Sequence, residues 1–229
     1  MRENLLRVQE RIASAAARAG RSAEEITLIA VSKTHPASAI REAYEAGIQH
    51  FGENRVQEWE GKRAGTEGLA ATWHLIGHLQ SNKTARAARL FHSIDSVDDF
   101  AIAQRLDRAR AEAGITGKMR LLIEVRVAPE ETKSGVEISE LSALAKKIRE
   151  LPRLDLVGLM CIPPFLEEAE RMRPYFRRLR ELRDELTKNP GFVLPVLSMG
   201  MSHDFEMAIE EGATEVRVGT ALFGDRELK

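Results

Sequence analysis

The sequence predicts a closed (β/α)8 barrel, an α/β fold, and three observations carry that prediction. Eight short apolar runs of strand length recur along the 229 residues. A helix-length segment lies in nearly every gap between them, and alternating strands and helices call for a parallel sheet. The first run, residues 26–33, is too apolar for a surface strand and belongs in a sheet covered on both faces. An open doubly wound sheet is the competing arrangement. It would place a glycine-rich loop after the first strand, whereas this chain continues Ser32-Lys33-Thr34-His35. Eight units in this length sit near the small end of the barrel's size range.

The elements follow in order. Residues 2–18 carry Leu5, Leu6, Val8, Ile12, Ala15 and Ala16 at helical spacing, and Gly20 is a natural stop. The first strand, 26–33, follows. A helix then starts at Pro36, with proline in its first turn, and ends at Gly47. Strands are expected near 49–52, 72–76, 91–94, 119–127, 154–160, 192–197 and 214–218. Helical patterns lie at 97–113, 139–150, 167–187 and 203–211. No Pro/Gly/Ser-rich linker or low-complexity tract interrupts the chain, so residues 1–229 are expected to form a single domain.

Composition excludes several function classes. Charged residues are 30% and the formal net charge is -1, so nothing pulls the chain as a whole toward nucleic acid or membrane. The basic stretches around Arg171 and Arg177 alternate with Glu170, Glu181 and Asp184, as on a solvated helix. Cys161 is the only cysteine, in an apolar setting, and reads as packing rather than as a nucleophile. No run has the length of a membrane span or of a signal peptide core, so a cytoplasmic protein is expected.

In such barrels the chemistry sits where the strands end. Lys33 closes the first strand, on the face of Ile29 and Val31, so its stem is buried and its amine emerges at the mouth. Desolvation there favours the neutral amine that Schiff-base chemistry needs. The bland alternative is a snorkelling lysine at a strand end. The last two strand ends weigh against it. The seventh leads into Ser198-Met199-Gly200-Met201-Ser202-His203-Asp204, and the eighth ends Arg217-Val218-Gly219-Thr220. These two loops are where barrels commonly hold phosphate. Gly200 and Gly219 let backbone approach an anion, Ser202 and Thr220 each offer a hydroxyl, and short helices starting at Ser202 and Thr220 would aim N–H groups at it. An aldehyde-bearing phosphate ester satisfies both halves: pyridoxal 5'-phosphate (PLP) on Lys33. Arg217 can point into the mouth, where a guanidinium facing the pyridine nitrogen keeps that nitrogen unprotonated. An ion pair with Glu124 or Glu215 is the alternative role. A metal site is not expected, because Gly77 spoils the spacing of His74 and His78. His35, His50, His92 and His203 are expected to be local hydrogen-bonding residues, and no nucleophile elbow surrounds Ser198 or Ser202.

The order of these motifs, from Ala30-Val31-Ser32-Lys33 and Phe51-Gly52-Glu53-Asn54 through Trp73–Lys83, Lys133-Ser134-Gly135, Gly158-Leu159-Met160 and 198–204 to Arg217-Val218-Gly219-Thr220, resembles the YggS/PROSC family of pyridoxal phosphate homeostasis proteins over essentially the whole chain. The resemblance implies a single barrel similar to the alanine racemase N-terminal domain, the fold type III arrangement of PLP proteins. It implies that Lys33 carries the internal aldimine, and that Ser202, Gly219 and Thr220 hold the phosphate with help from the Ser198, Met199 and Gly200 turn. Arg217 would face the pyridine nitrogen and Asn54 would lie close to the cofactor. The expected function is storage, buffering or delivery of PLP rather than turnover, with apo PLP-dependent enzymes as recipients and a monomeric protein. An amino-acid racemase using Lys33, with His203, His78 or a group from a partner subunit as second base, is the alternative. It is disfavoured because the chain ends just after the last barrel unit, with no second domain expected to close the site.

Overall fold

The computed structural model describes residues 1–128 and 134–224. Eight strands close into an all-parallel barrel in chain order: β1 (Thr27–Val31), β2 (His50–Glu53), β3 (Thr72–Leu75), β4 (Ser93–Val97), β5 (Met119–Glu124), β6 (Leu154–Met160), β7 (Val196–Met201) and β8 (Glu215–Val218). Helices surround it: α1 (Arg2–Arg18), α2 (Ala37–Glu45), α3 (Val56–Arg63), α4 (Thr84–Leu90), α5 (Phe100–Glu112), α6 (Ile138–Arg149), α7 (Arg173–Thr187), α8 (Phe205–Glu210) and α9 (Thr220–Phe223). Parallel pairing closes the ring, with Ile29 beside His50 on one side and Arg217 on the other, and the register shifts within the β4–β5, β5–β6 and β7–β8 pairs. None of the described helices is long and apolar enough to cross a membrane.

Alternation along each strand divides the core in two. Ala30, Phe51, Trp73, Leu121, Leu159, Leu197 and Val216 face the helices and join one apolar cluster. The helices meet it with stripes at helical spacing, such as Phe176, Leu179, Leu182 and Leu186 on α7. The opposite parity fills the barrel, and its lower half is polar. Arg120 on β5 pairs with Glu215 on β8, a contact that must cross the interior. Beside it His74 Nδ1 meets Asp95 Oδ2 at 2.9 Å and His74 Nε2 meets His50 Nδ1 at 3.1 Å. Burial pushes the Asp95 carboxyl up, but His74 and Ser93 outweigh it and hold it below the usual range. His74, Asp95 and Glu215 put ligand-type atoms within 4.8 Å of one another. Both nitrogens of His74 are already engaged and Arg120 already meets Glu215, so the cluster is a hydrogen-bonded filling of the barrel.

The structure shifts several expected elements: the fourth strand is Ser93–Val97 rather than 91–94, the fifth stops at Glu124 rather than 127, and three further shifts bear on the mouth of the barrel. The first strand ends at Val31 rather than Lys33, because Thr34 takes a positive φ of 67° and turns the chain. The seventh begins at Val196 and runs on to Met201 instead of spanning 192–197. Pro195 offers no N–H to a ladder, so Phe192 and Leu194 pack in the core without pairing. The helix expected from Ser202 starts at Phe205, after a turn in which Asp204 Oδ1 accepts the Met201 N–H at 2.6 Å. Sequence reasoning named no helix at α3 or α4. Each buries only two or three residues, too few for a periodic signal.

Candidate cofactor site

The carboxyl ends of β8, β1 and β2 lie side by side. Val31 is in register with Gly52, and a Cβ at Gly219 would sit 3.5 Å from Val31 Cβ. Lys33 therefore stands at the mouth between the first and last strands, half-buried, two residues past the end of β1. Its neighbours on both sides are clamped. The Ser32 N–H extends the ladder to Gly52 O at 3.1 Å. The Ser32 hydroxyl donates to the fully buried Glu53 at 2.7 Å. Lys62 on α3 donates to Ser32 O at 2.8 Å, to both Glu53 oxygens at 2.9 and 3.1 Å, and to Glu58 at 2.8 Å. Glu58 in turn accepts the Thr34 N–H. Thr34 is the one non-glycine residue with positive φ among those described. A β-branched residue held there stores about 1–3 kcal/mol, and such strain persists only where the surroundings over-determine it. Burial pushes the Glu53 carboxyl up despite Ser32 and Lys62.

Arg217 is buried inside the barrel. Its Nη1 donates to Ser198 O at 2.7 Å and to Ser198 Oγ at 2.8 Å, and its Nη2 donates to Cys161 O at 2.7 Å. Neither Glu124 nor Glu215 pairs with it. Glu124 accepts the Ser134 hydroxyl at 2.9 Å and Glu215 holds Arg120. Among the described residues Arg217 makes no ion pair, so three neutral oxygens fix a buried cation in place. Cys161 itself is fully buried, which pushes its thiol up to about 12 and removes it as a nucleophile.

The loops after β7 and β8 meet through Ser202. Its Oγ accepts the Gly219 N–H at 3.2 Å and the Ala221 N–H at 3.4 Å. A hydroxyl that accepts in this way still has its own proton to donate. Gly200 makes the bend that brings Ser202 there: its φ is +91°, and a Cβ would lie 2.6 Å from Ala208 Cβ. The β7–β8 register shifts between Ser198 and Met201 at the same place. Behind this joint the His35 ring stacks on Phe223, with centroids 4.6 Å apart.

The expected residues fall into three groups. Lys33, Ser202, Gly219 and Arg217 gather at or below one mouth. Asn54 stands half-buried just past β2 and is crossed closely by the next loop, where a Cβ on Gly77 would come 2.4 Å from Asn54 O. Ser198 lies within β7 rather than in the loop beyond it, as a prop for Arg217. The Met199 side chain is buried in the outer apolar cluster, so only its backbone is left to serve a ligand. Thr220 is exposed at the start of α9 and also borders a recess with Arg7 and Arg11 of α1. Lys133 and the tail 225–229 lie outside the described residues. Sequence reasoning missed Lys62 and Glu58. Their spacing of four on one helix is common, and nothing local says that both reach back to the β1 turn.

The alanine racemase N-terminal domain family matches residues 4–227. A protein of Aquifex aeolicus named pyridoxal phosphate homeostasis protein is 49% identical over 225 residues, 98% of either chain. One of Escherichia coli with the same name is 45% identical, over 98% of this chain and 96% of its own. PipY of Synechococcus elongatus, solved with PLP bound, superposes with a TM-score of 0.83 at 44% identity, covering 95% of this chain and all of its own. Alanine racemase of Clostridium difficile has the same fold, with a TM-score of 0.74 at 16% identity, over 99% of this chain and 58% of the racemase.

Proposed function

Since the chain belongs to the pyridoxal phosphate homeostasis protein family, built on the alanine racemase N-terminal domain, we propose that it binds PLP at the mouth described above and stores, buffers or hands on that cofactor. The observation that carries the reading is the convergence, on the adjacent ends of β8 and β1, of one lysine amine, one buried arginine held by neutral oxygens and a hydroxyl-and-amide joint. The residues suit the group. When bound, PLP supplies an electrophilic aldehyde carbon, a pyridine nitrogen and a phosphate dianion.

Lys33 is the amine that would attach to the aldehyde, and the clamp on Ser32 and Thr34 fixes where that amine emerges. Ser202, the N–H groups of Gly219 and Ala221, and Thr220 would take the phosphate. Asn54 would flank the ring. Arg217 can only donate, so it would hold the ring nitrogen unprotonated and weaken the ring as an electron sink. That favours reversible holding of the cofactor over carbanion chemistry, and transfer to apo PLP-dependent enzymes is the use that reversible holding suits. It also disfavours the racemase reading.

Borohydride treatment of the PLP-loaded protein followed by peptide mapping tests the attachment. The label is expected on the peptide carrying Lys33, and a label mainly on Lys83, Lys133 or Lys229 would overturn it. Replacing Ser202 and Thr220 by alanine should weaken PLP binding, at about 1.5–3 kcal/mol per charge-assisted hydrogen bond lost, far more than binding of pyridoxal. Equal losses would refute the phosphate assignment. In deuterated water, rapid α-proton exchange of L-amino acids that Lys33→Ala abolishes would decide for the racemase.

A further inference from the structure

At the opposite, amino-terminal end of the barrel a cleft of about 860 Å³ opens beneath β3, β4 and β5, between α3, α4 and α5. Its size is that of a small-molecule site. Its charge is one-sided: Arg63, Arg89, Arg110 and Lys118 line it against the single carboxylate of Glu67. None of these four cations makes an ion pair with a described residue. Several arginines elsewhere do pair, as Arg11 does with Glu206, Arg18 with Glu210 and Arg177 with Glu211.

Arg110 is the unusual member. It is only 7% exposed, yet no carboxylate compensates it. Nη1 donates to Ala88 O at 3.3 Å and Nη2 to Gly117 O at 3.0 Å, while the buried Nε–H has no acceptor. Burial alone holds its pKa down. A buried charge is ordinarily paired, because desolvation without compensation is expensive. Arg63, Arg89 and Lys118 are exposed around it and free to swing inward. His92, also lining the cleft, accepts the Trp73 N–H on Nδ1 at 3.0 Å, which leaves Nε2–H as one more donor. Beneath the cations Trp59 and Trp73 stack with centroids 3.6 Å apart beside Phe91 and Met119, all four nearly buried, so only indole edges reach a lining that mixes polar and apolar surface.

We propose that this cleft binds a small organic phosphate, its phosphate among Arg89, Arg110 and Lys118 and its organic body over the edges of the two indoles. The site is separate from the PLP mouth and does not depend on it, since the two lie at opposite ends of the strands. A phosphate fits better than a monocarboxylate, because the cations outnumber Glu67 by enough to hold a dianion and guanidinium groups bind phosphate with paired donors.

The chain has two tryptophans, Trp59 and Trp73, and both line this cleft, so intrinsic fluorescence excited selectively at indole reports on it alone. Titration of the full-length protein with phenyl phosphate should give a saturable change. Phenol, the same ring without the phosphate, should bind at least about tenfold more weakly. The exposed double variant Arg89→Glu with Lys118→Glu should lose the response to phenyl phosphate, and Lys33→Ala should retain it. In a ¹⁵N-labelled sample the Arg110 Nε–H resonance should move with the same affinity. A response that does not saturate, that survives the double charge reversal, or that disappears in Lys33→Ala would overturn the proposal.

Discussion

Lys62 is the residue on which the shape of the proposed PLP mouth depends, and Lys62→Met tests this without touching a ligand-binding group. Methionine keeps the length and removes the ammonium, which lies between Ser32 O, both oxygens of Glu53 and Glu58. Glu53 is fully buried and would keep only the Ser32 hydroxyl as a donor. Removing one partner of a buried pair costs about 3–5 kcal/mol. The loss has a ceiling, because the stranded carboxyl can take up a proton instead. Counted from an unfolded pKa of about 4.3, at about 1.36 kcal/mol per unit, that ceiling is at most about 4.4 kcal/mol at pH 7.5 and about 1.6 kcal/mol at pH 5.5, and it is lower by the amount that burial already raises Glu53 in the native protein. The sign follows from linkage. Glu53 is already raised by burial, and without Lys62 it rises further. The folded variant then binds more protons than the unfolded chain, so its stability falls as pH rises above the unfolded pKa. Urea unfolding followed by far-UV circular dichroism should show a deficit above about 1 kcal/mol and up to about 4 kcal/mol at pH 7.5 that shrinks at pH 5.5. Adding Glu53→Gln should recover most of the deficit. A deficit below about 1 kcal/mol, or one equal at both pH values, would refute the role assigned to Lys62.

Other perturbations probe the remaining supports. Gly200→Ala forces a Cβ to 2.6 Å from Ala208 at a φ of +91°, and should lower stability by about 2 kcal/mol or more in a thermal melt; an unchanged melting temperature would contradict the strained bend. Burial and the neighbouring His74 push His50 down to about 4. Its contribution to stability is therefore complete above pH 6.5 and drains away as pH falls toward 4. His50→Gln should flatten that acid limb, and an NMR titration placing His50 near its ordinary value would sink the explanation. Native Cys161 should resist iodoacetamide until the protein unfolds, and fast labelling at pH 8 would show that its burial is misassigned.

The residues by themselves determined the fold class and pointed to the strand ends on which the proposed site stands. Eight apolar runs alternating with helical stripes are a local signal, and each run needs only its own period to be recognised. Lys33 behind such a run, and the glycine and hydroxyl pairs near Ser202 and Thr220, were legible for the same reason: strand ends converge wherever a parallel barrel closes. Exact ends were less legible. Lys33 fell outside its strand because the positive φ of Thr34 is fixed from a distance by Glu58. Only the tertiary structure decided what fills the barrel and what steadies its mouth. Arg120 meets Glu215 across 95 residues, Arg217 reaches Cys161 across 56, and Lys62 finds Ser32 across 30. No periodicity encodes such pairs. The first two form because closure brings inward-facing groups of non-adjacent strands into one low-dielectric space, and the third because α3 packs back over the end of β1; in each, a buried charge or hydrogen-bonding group must find a partner.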